Sequence, residues 1–331
     1  MRAVLTLVLV AAVLWGGYWF VGSRALERSA EAWFASQAAQ GRIAERESLD
    51  VAGFPSRFDL TVTEPHLEDP ASGFGWRAPF AQVFSLTYKP WHVIAALPNT
   101  QTILAPGQQI TLDSTRLRGS LIVKPSPALA LDRIAIAGEG LAARSSLGWS
   151  VAASAARFAT RQIDDDPARH EIGLDITALA PDASLLSAAT EAELPEVIDS
   201  VKLSAILGFT APLDRHAGET RPELASLDLN ETLIAWGDLK LFASGGLTVQ
   251  DGLPEGRIDF RLENWRKAIR LAVALELIKP EVAPTWERML GIMAAQSADA
   301  EKLDVPLIFA DGRMSLGPLP LGPAPRLAQR Q

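Results

Sequence analysis

The stretch Leu49–Pro65, LDVAGFPSRFDLTVTEP, decides how the rest of the chain is read. Phe58, Leu60 and Val62 point one way and Arg57, Asp59, Thr61 and Thr63 the other, the period-2 pattern of a strand with one packed and one solvated face. The Gly53-Phe54-Pro55 break before it reads as a turn, because glycine is free in φ and proline has no N–H to give a ladder. Gly53 and Pro55 are therefore structural turn residues at a hinge. Phe54 keeps the parity of Phe58 and Leu60 across it.

The same alternation recurs along the chain, at Ile110/Leu112, Leu117/Leu121/Val123, Ile134/Ile136 and Ile172/Leu174/Ile176. It returns at Val201/Leu203/Leu207/Phe209, Leu239/Leu241, Leu247/Val249 and Ile258/Phe260/Leu262. Such patterning is the habit of antiparallel sheets. Between Leu112 and Leu117 the apolar positions move from even to odd, which a bulge or turn near Ser114–Arg116 explains. Asp311-Gly312 sits between apolar runs as a hairpin turn, and ASGGLTV and DGLPEGRIDF read as further glycine-rich reversals. Three helices interrupt: Ala183–Thr190, Asn264–Pro280 with Asn264 as its cap, and Pro284 to about Ala298 with Trp286, Met289, Leu290 and Met293 on one stripe. The expected fold is mainly β (α+β), a long antiparallel meander or curved sheet with a few packed helices.

In front of it lie 21 uncharged residues between Arg2 and Arg24. At 1.5 Å each they span ~31 Å, the thickness of a bilayer's hydrocarbon core. Trp15, Tyr18, Trp19 and Phe20 gather at the far end, where amphipathic rings favour the headgroup region, and are assigned to the membrane interface. A cleaved signal peptide is the competing reading. It wants an apolar run of about 7–15 residues and a small-residue cleavage site, whereas the best site here, Ser23-Arg24-Ala25, carries an arginine. The preferred organisation is a transmembrane anchor (1–23), a stalk helix (24–41), one β-rich exported domain (42–322) and a disordered tail (323–331). A subdivision near residue 180 is the alternative. Leu26, Ala30, Trp33, Phe34 and Gln37 form the stripe by which the stalk packs on the domain.

The net charge of −8 and the lack of a Lys/Arg cluster argue against nucleic acid, whose phosphates demand a basic surface. The chain has no cysteine, which removes disulfides, thiolate metal sites and a cysteine nucleophile. His66, His92, His170 and His216 have no metal-ligand spacing. Asp164-Asp165-Asp166 reads as a solvated turn before it reads as a calcium site, since adjacent carboxylates diverge. No catalytic, metal or cofactor-binding residue is assigned, and no enzyme is expected.

The membrane segment, VAGFPSRFDLTV, FSLTYKPWHVIAAL (Phe84–Leu97) and LDVPLIFADGRMSLGPLPLG (Leu303–Gly322) together resemble domain of unknown function 2125, a family of alphaproteobacterial envelope proteins. The likeness covers essentially the whole chain and implies no assigned activity. A weaker likeness is to AsmA-type envelope proteins, which also place long β-structure behind one N-terminal helix. The expectation is a single-pass inner-membrane protein with its C-terminal part periplasmic. Its apolar strand face binds or transfers a lipid or other apolar envelope component. The alternative is a scaffold or accessory subunit with an ordinary packed core and envelope proteins as partners.

Overall fold

The computed structural model describes residues 1–295 and 299–327. Strand accounts for 52% of the chain, arranged as long antiparallel open sheet, with five helices among the described residues. The backbone divides into two compact units, Met1–Pro125 with Ile136–Trp149, and Ser126–Ala135 with Ser150–Gln331. The division thus falls around residues 125–150. Ala180, where a boundary was expected as an alternative, ends a strand inside the second unit.

The first unit opens with α1 (Arg2–Ala39), one unbroken helix that contains both segments expected as anchor and stalk and is long and apolar enough to cross a membrane. Ten strands follow in this unit: β1 (Ile43–Glu45), β2 (Ser48–Ala52), β3 (Arg57–Thr63), β4 (His66–Asp69), β5 (Phe74–Arg77), β6 (Phe80–Leu86), β7 (Lys89–Leu97), β8 (Thr100–Ala105), β9 (Gln108–Asp113) and β10 (Arg116–Val123). β11 (Leu131–Ser145) closes it through Ala142–Ser145. Two ladders form, β2–β3–β6–β7–β10 and β1–β4–β5–β8–β9–β11. The chain crosses between the ladders after every second strand. From β2 to β10 each crossing is a long strand snapped across its middle, at residues 64–65, 78–79, 98–99 and 114–115.

Proline explains the first three breaks. Pro65, Pro79 and Pro98 stand at successive breaks and cannot donate to a ladder. The gaps are stitched by single bonds, Glu64 N–H to Pro79 O (2.9 Å), Ala78 N–H to Pro65 O (3.2 Å) and Ser114 N–H to Asn99 O (2.7 Å). Thr115 N–H donates to Glu139 O (2.9 Å) at the last crossing. The parity shift between Leu112 and Leu117 lies on this crease, at Ser114–Thr115. The same one-residue shift occurs between Val62 and Leu67 and between Trp76 and Ala81, whereas across Pro98 the parity is kept from Ala95 to Ile103.

The second unit is a plain meander: β12 (Ser150–Ile163), β13 (Asp166–Ala180), β14 (Ile198–Phe209), β15 (Leu224–Trp236), β16 (Leu239–Gln250), β17 (Leu253–Glu263), β18 (Lys302–Ala310), β19 (Arg313–Leu316) and β20 (Leu319–Pro323), each paired with the next. α2 (Ala183–Glu191), α4 (Trp265–Ala274) and α5 (Ala283–Ala294) lie in its connections, with a single turn, α3 (Ala217–Thr220), after β14. They bury Ala189, Leu194 and Trp236 in one cluster and Trp265, Ile269, Leu290 and Leu303 in another. Asp182 caps α2, accepting from Ser184 N–H at 3.0 Å.

Four local expectations change. Asn264 has φ 56 and gives α4 no side-chain cap; its Nδ2 donates instead to Asp238 O (2.7 Å). α4 also stops at Ala274, well short of Pro280, because Glu276 turns left-handed (φ 59) and Leu277 N–H closes on Ala272 O (2.8 Å). Gly245 and Gly246 of ASGGLTV sit inside β16, where a Cβ at Gly245 would strike the Arg257 carbonyl of β17. These glycines permit a close backbone approach and do not reverse the chain. Finally, Ala324 is buried and its N–H meets Gly312 O (2.8 Å), so Pro323–Leu327 is seated on the sheet. The remainder of the expected tail and the end of the last expected helix, 296–298, lie outside the described residues.

Candidate functional site

The residues assigned to the membrane interface converge on the Gly-Phe-Pro turn. Trp15 Nε1 donates to Pro55 O (2.9 Å), Tyr18 Oη to Thr87 O (2.8 Å) and Trp19 Nε1 to Arg57 O (2.7 Å). Trp19 is only 7% exposed. Its ring stacks on Phe58 with centroids 6.3 Å apart and meets Phe54 and Phe20 edge-on at 5.4 and 5.3 Å. The helix can come this close because Gly22 offers no side chain; a Cβ there would lie 2.6 Å from the Phe58 ring. Further along α1, Phe34 is buried under the Arg46 guanidinium, 4.4 Å from its ring centre. Phe54, expected on the buried face, is 57% exposed although its ring touches Trp19 and Phe20.

Gly53 has φ 101, and Arg57 N–H returns to its carbonyl at 2.9 Å, closing the turn. Pro55 follows a cis bond. Asp311 and Gly312 have φ 52 and 69, the paired positive values of a two-residue hairpin turn between β18 and β19. Neither turn carries a group poised for chemistry.

The sheet face beneath α1 is the second element. In the first ladder Leu60, Val83, Ala95 and Gly119 align in one cross-strand row, and Phe58, Ser85, Val93 and Leu121 in the next. In the second ladder Leu67, Trp76, Ile103 and Ile110 align likewise. The opposite face carries Asp59, Thr61 and Gln82 and, beyond the crease, His66, Glu68, Arg77 and Asp113, tied by ion pairs such as Arg77–Glu68 at 3.3 Å. Yet only Phe58, Val62 and Leu104 of the strand hydrophobics in this unit are buried. Apolar rows of this length normally lie under a second layer; here α1 covers one corner.

The second unit shows the same imbalance in part. Its inner rows run Leu174–Leu203–Thr232–Ala243–Phe260–Val305 and Ile176–Val201–Ile234–Leu241–Leu262–Leu303. α2, α4 and α5 cover the second row and the β16–β18 end of the first. Phe158, Ile172, Leu174 and Leu203 of β12–β14 belong to no buried cluster and are only partly buried.

Polar chemistry is dispersed. His66 sits between Glu45 and Glu68, His92 beside Ser120, and His216 beside Glu219, each apart from the others. His170 is 1% exposed, with Nδ1 3.4 Å from Thr160 Oγ1 and no partner for Nε2; burial holds its imidazole below the ordinary pKa. Asp164 and Asp165 form the β12–β13 turn with positive φ, and Asp164 pairs with Arg169 at 2.6 Å. Among the described residues no three His, Asp or Glu side chains converge as a metal cluster. A shallow cavity of about 420 Å³ on the polar face of the second unit is lined by Glu231, Arg257, Asp259, Arg261 and Asp304. Its arginines are already engaged by Asp259 and Asp304, the latter at 2.9 Å.

The sequence assigned the rings of Trp15, Tyr18, Trp19 and Phe20 to a membrane interface and gave no sign of Thr87 and Phe58 as their partners. No local pattern marks a residue that meets the helix only after the sheet has folded. In the comparisons, no curated protein and no solved structure matches the chain. A family model, described as an uncharacterised protein conserved in bacteria (DUF2125), matches residues 19–325. That span takes in both β units and the last turns of the aromatic cluster, and the chain belongs to this uncharacterised bacterial family.

Proposed function

We propose that this is a non-catalytic envelope protein, held in the inner membrane by α1 with its sheets in the periplasm. There it binds or passes on a lipid or another apolar envelope component along its apolar strand face. One observation carries the reading: a sheet face built of apolar rows, of whose hydrophobic side chains only Phe58 and Val62 are buried. Leaving such rows to water forfeits roughly 25 cal/mol for each Å² exposed, so a ligand that covers them gains what a core would otherwise supply. The helix is long and apolar enough to cross a membrane, which supports the same placement.

The test is lipid extraction and native mass spectrometry of the full chain purified in mild detergent, beside Val83→Lys/Leu121→Lys. These two positions lie on neighbouring apolar rows away from α1. Wild type should carry lipid, and the variant should lose it with unchanged far-UV circular dichroism and melting temperature. Wild type free of lipid, or a variant that keeps it, overturns the proposal.

A further inference from the structure

Three bonds fix how high the β turns stand against the anchor. Trp15, Tyr18 and Trp19 donate to Pro55, Thr87 and Arg57, so the β2–β3 and β6–β7 turns are held level with residues 15–19 of α1. Beyond Trp15 only Ala3–Leu14 of the uncharged run remains free, ~18 Å of helix at 1.5 Å per residue. A bilayer's hydrocarbon core is ~30 Å thick. Tilting absorbs a span that is too long and worsens one that is too short. If α1 spans, Trp15–Ser23 must also lie in the leaflet, and the turns bonded to it go with it.

We propose that the turns Gly53–Ser56 and Thr87–Pro90 are inserted in the membrane leaflet on the domain's side, reaching about 12 Å below the level of Ser23 at 1.5 Å per residue. The partner is the bilayer itself. Two further observations agree. The side chains presented at this level are apolar and exposed, Phe54 at 57% and Tyr88 at 62%, beside Phe20 at 61% on the helix. Four of the turn carbonyls, and that of Arg57 beside them, are also satisfied from within, as lipid requires where no water is available. Gly53 O accepts from Arg57 N–H, Ser56 O from both Thr87 N–H (3.0 Å) and Thr87 Oγ1 (3.1 Å), and Pro55 O, Thr87 O and Arg57 O accept from the rings of α1. Lys89 and Arg57 have stems long enough to carry their charges back to the headgroups. Insertion would open the end of the Phe58–Val93–Leu121 row onto lipid.

The inference requires that α1 span a bilayer but not that the sheet carry cargo. Because the native chain has no cysteine, single cysteines report position cleanly. Ser56→Cys, Tyr88→Cys, Ala71→Cys in the β4–β5 turn at the opposite end of the bent strands, and Ala12→Cys in the anchor are labelled with a fluorophore. The full chain is then reconstituted in phosphatidylcholine–phosphatidylglycerol vesicles. Labels at positions 56 and 88 should be quenched by lipids with a nitroxide near the headgroup and shielded several-fold from aqueous iodide relative to position 71. The label at position 12 should respond to a nitroxide deep in the acyl chains. Positions 56 and 88 as open to iodide as position 71, with position 12 in the bilayer, would overturn the insertion. A water-exposed position 12 would overturn it by showing that α1 does not span. Absence of co-purifying lipid leaves these depths unchanged, so the two proposals fail separately.

Discussion

Trp19→Ala tests the coupling between anchor and sheet. The ring is 7% exposed, stacked on Phe58 and edge-on to Phe54. Removing it uncovers about 200 Å² of aromatic surface, worth up to ~5 kcal/mol at ~25 cal/mol per Å². The lost bond to Arg57 O adds about 1 kcal/mol. Because helix and turns enclose the ring without a deep core around it, the lower end of the Trp→Ala range, about 3 kcal/mol, is expected. That loss is limited to the free energy of docking α1, so it appears as local opening and not as global unfolding. At RT of about 0.59 kcal/mol, amides of β2 and β3 beside the helix should exchange roughly a hundredfold faster in the full chain in detergent, while β12–β18 keep their protection. Trp19→Phe keeps most of the ring and loses only the N–H, so its effect should be about 1 kcal/mol. Unchanged exchange in β2 and β3 for the alanine variant would refute the coupling. Equal losses for alanine and phenylalanine would instead put all the energy in the hydrogen bond.

Gly53→Val places a β-branched side chain at φ 101 with its Cβ 2.8 Å from Arg57 O. It should cost about 1–3 kcal/mol of stability, and an unchanged melting temperature would show that the turn has room to relax. Gly245→Ala brings a methyl against the Arg257 carbonyl at φ 140, so a destabilisation of about 1–3 kcal/mol is expected; circular-dichroism melts that overlay the wild type would contradict the close approach. His170 is buried with a lowered pKa, so below the ordinary value of 6.5 the unfolded chain takes up a proton that the fold refuses. Stability should fall as pH drops from 6.5 toward the depressed folded value. His170→Gln, neutral throughout, should flatten that part of the profile, and an equally steep acid limb in the variant would assign it to other groups.

Period-2 alternation made the strands legible because each has one apolar face, and the pattern survives whatever the strand pairs with. Helix ends were less legible: α4 stops at a left-handed Glu276, a residue with no sequence mark of a C-cap, while Pro280 advertised a stop that was never reached. Gly245 and Gly246 were misread because glycine serves equally for reversal and for close approach, and only the neighbouring strand decides between them. The crease was out of reach altogether. Pro65, Pro79 and Pro98 stand at unequal intervals, and each alone reads as an ordinary loop proline. They become one feature only through the β3–β6 and β6–β7 registers, which bring the breaks to a single level.

The aromatic cluster shows why part of a site can be visible while its meaning is not. Trp15, Tyr18 and Trp19 have a flat apolar body and a polar edge, and such rings suit a headgroup region or a turn carbonyl equally well. The structure shows the second use, with the N–H and O–H groups of the rings held by Pro55, Thr87 and Arg57. A ring so held cannot also float at the interface independently of the sheet. The depth of α1 and the depth of the turns are therefore one variable, and Gly22→Leu, which drives a side chain into Phe58, should uncouple them. In that variant, labels at positions 56 and 88 should move toward water while the label at position 12 stays in the bilayer.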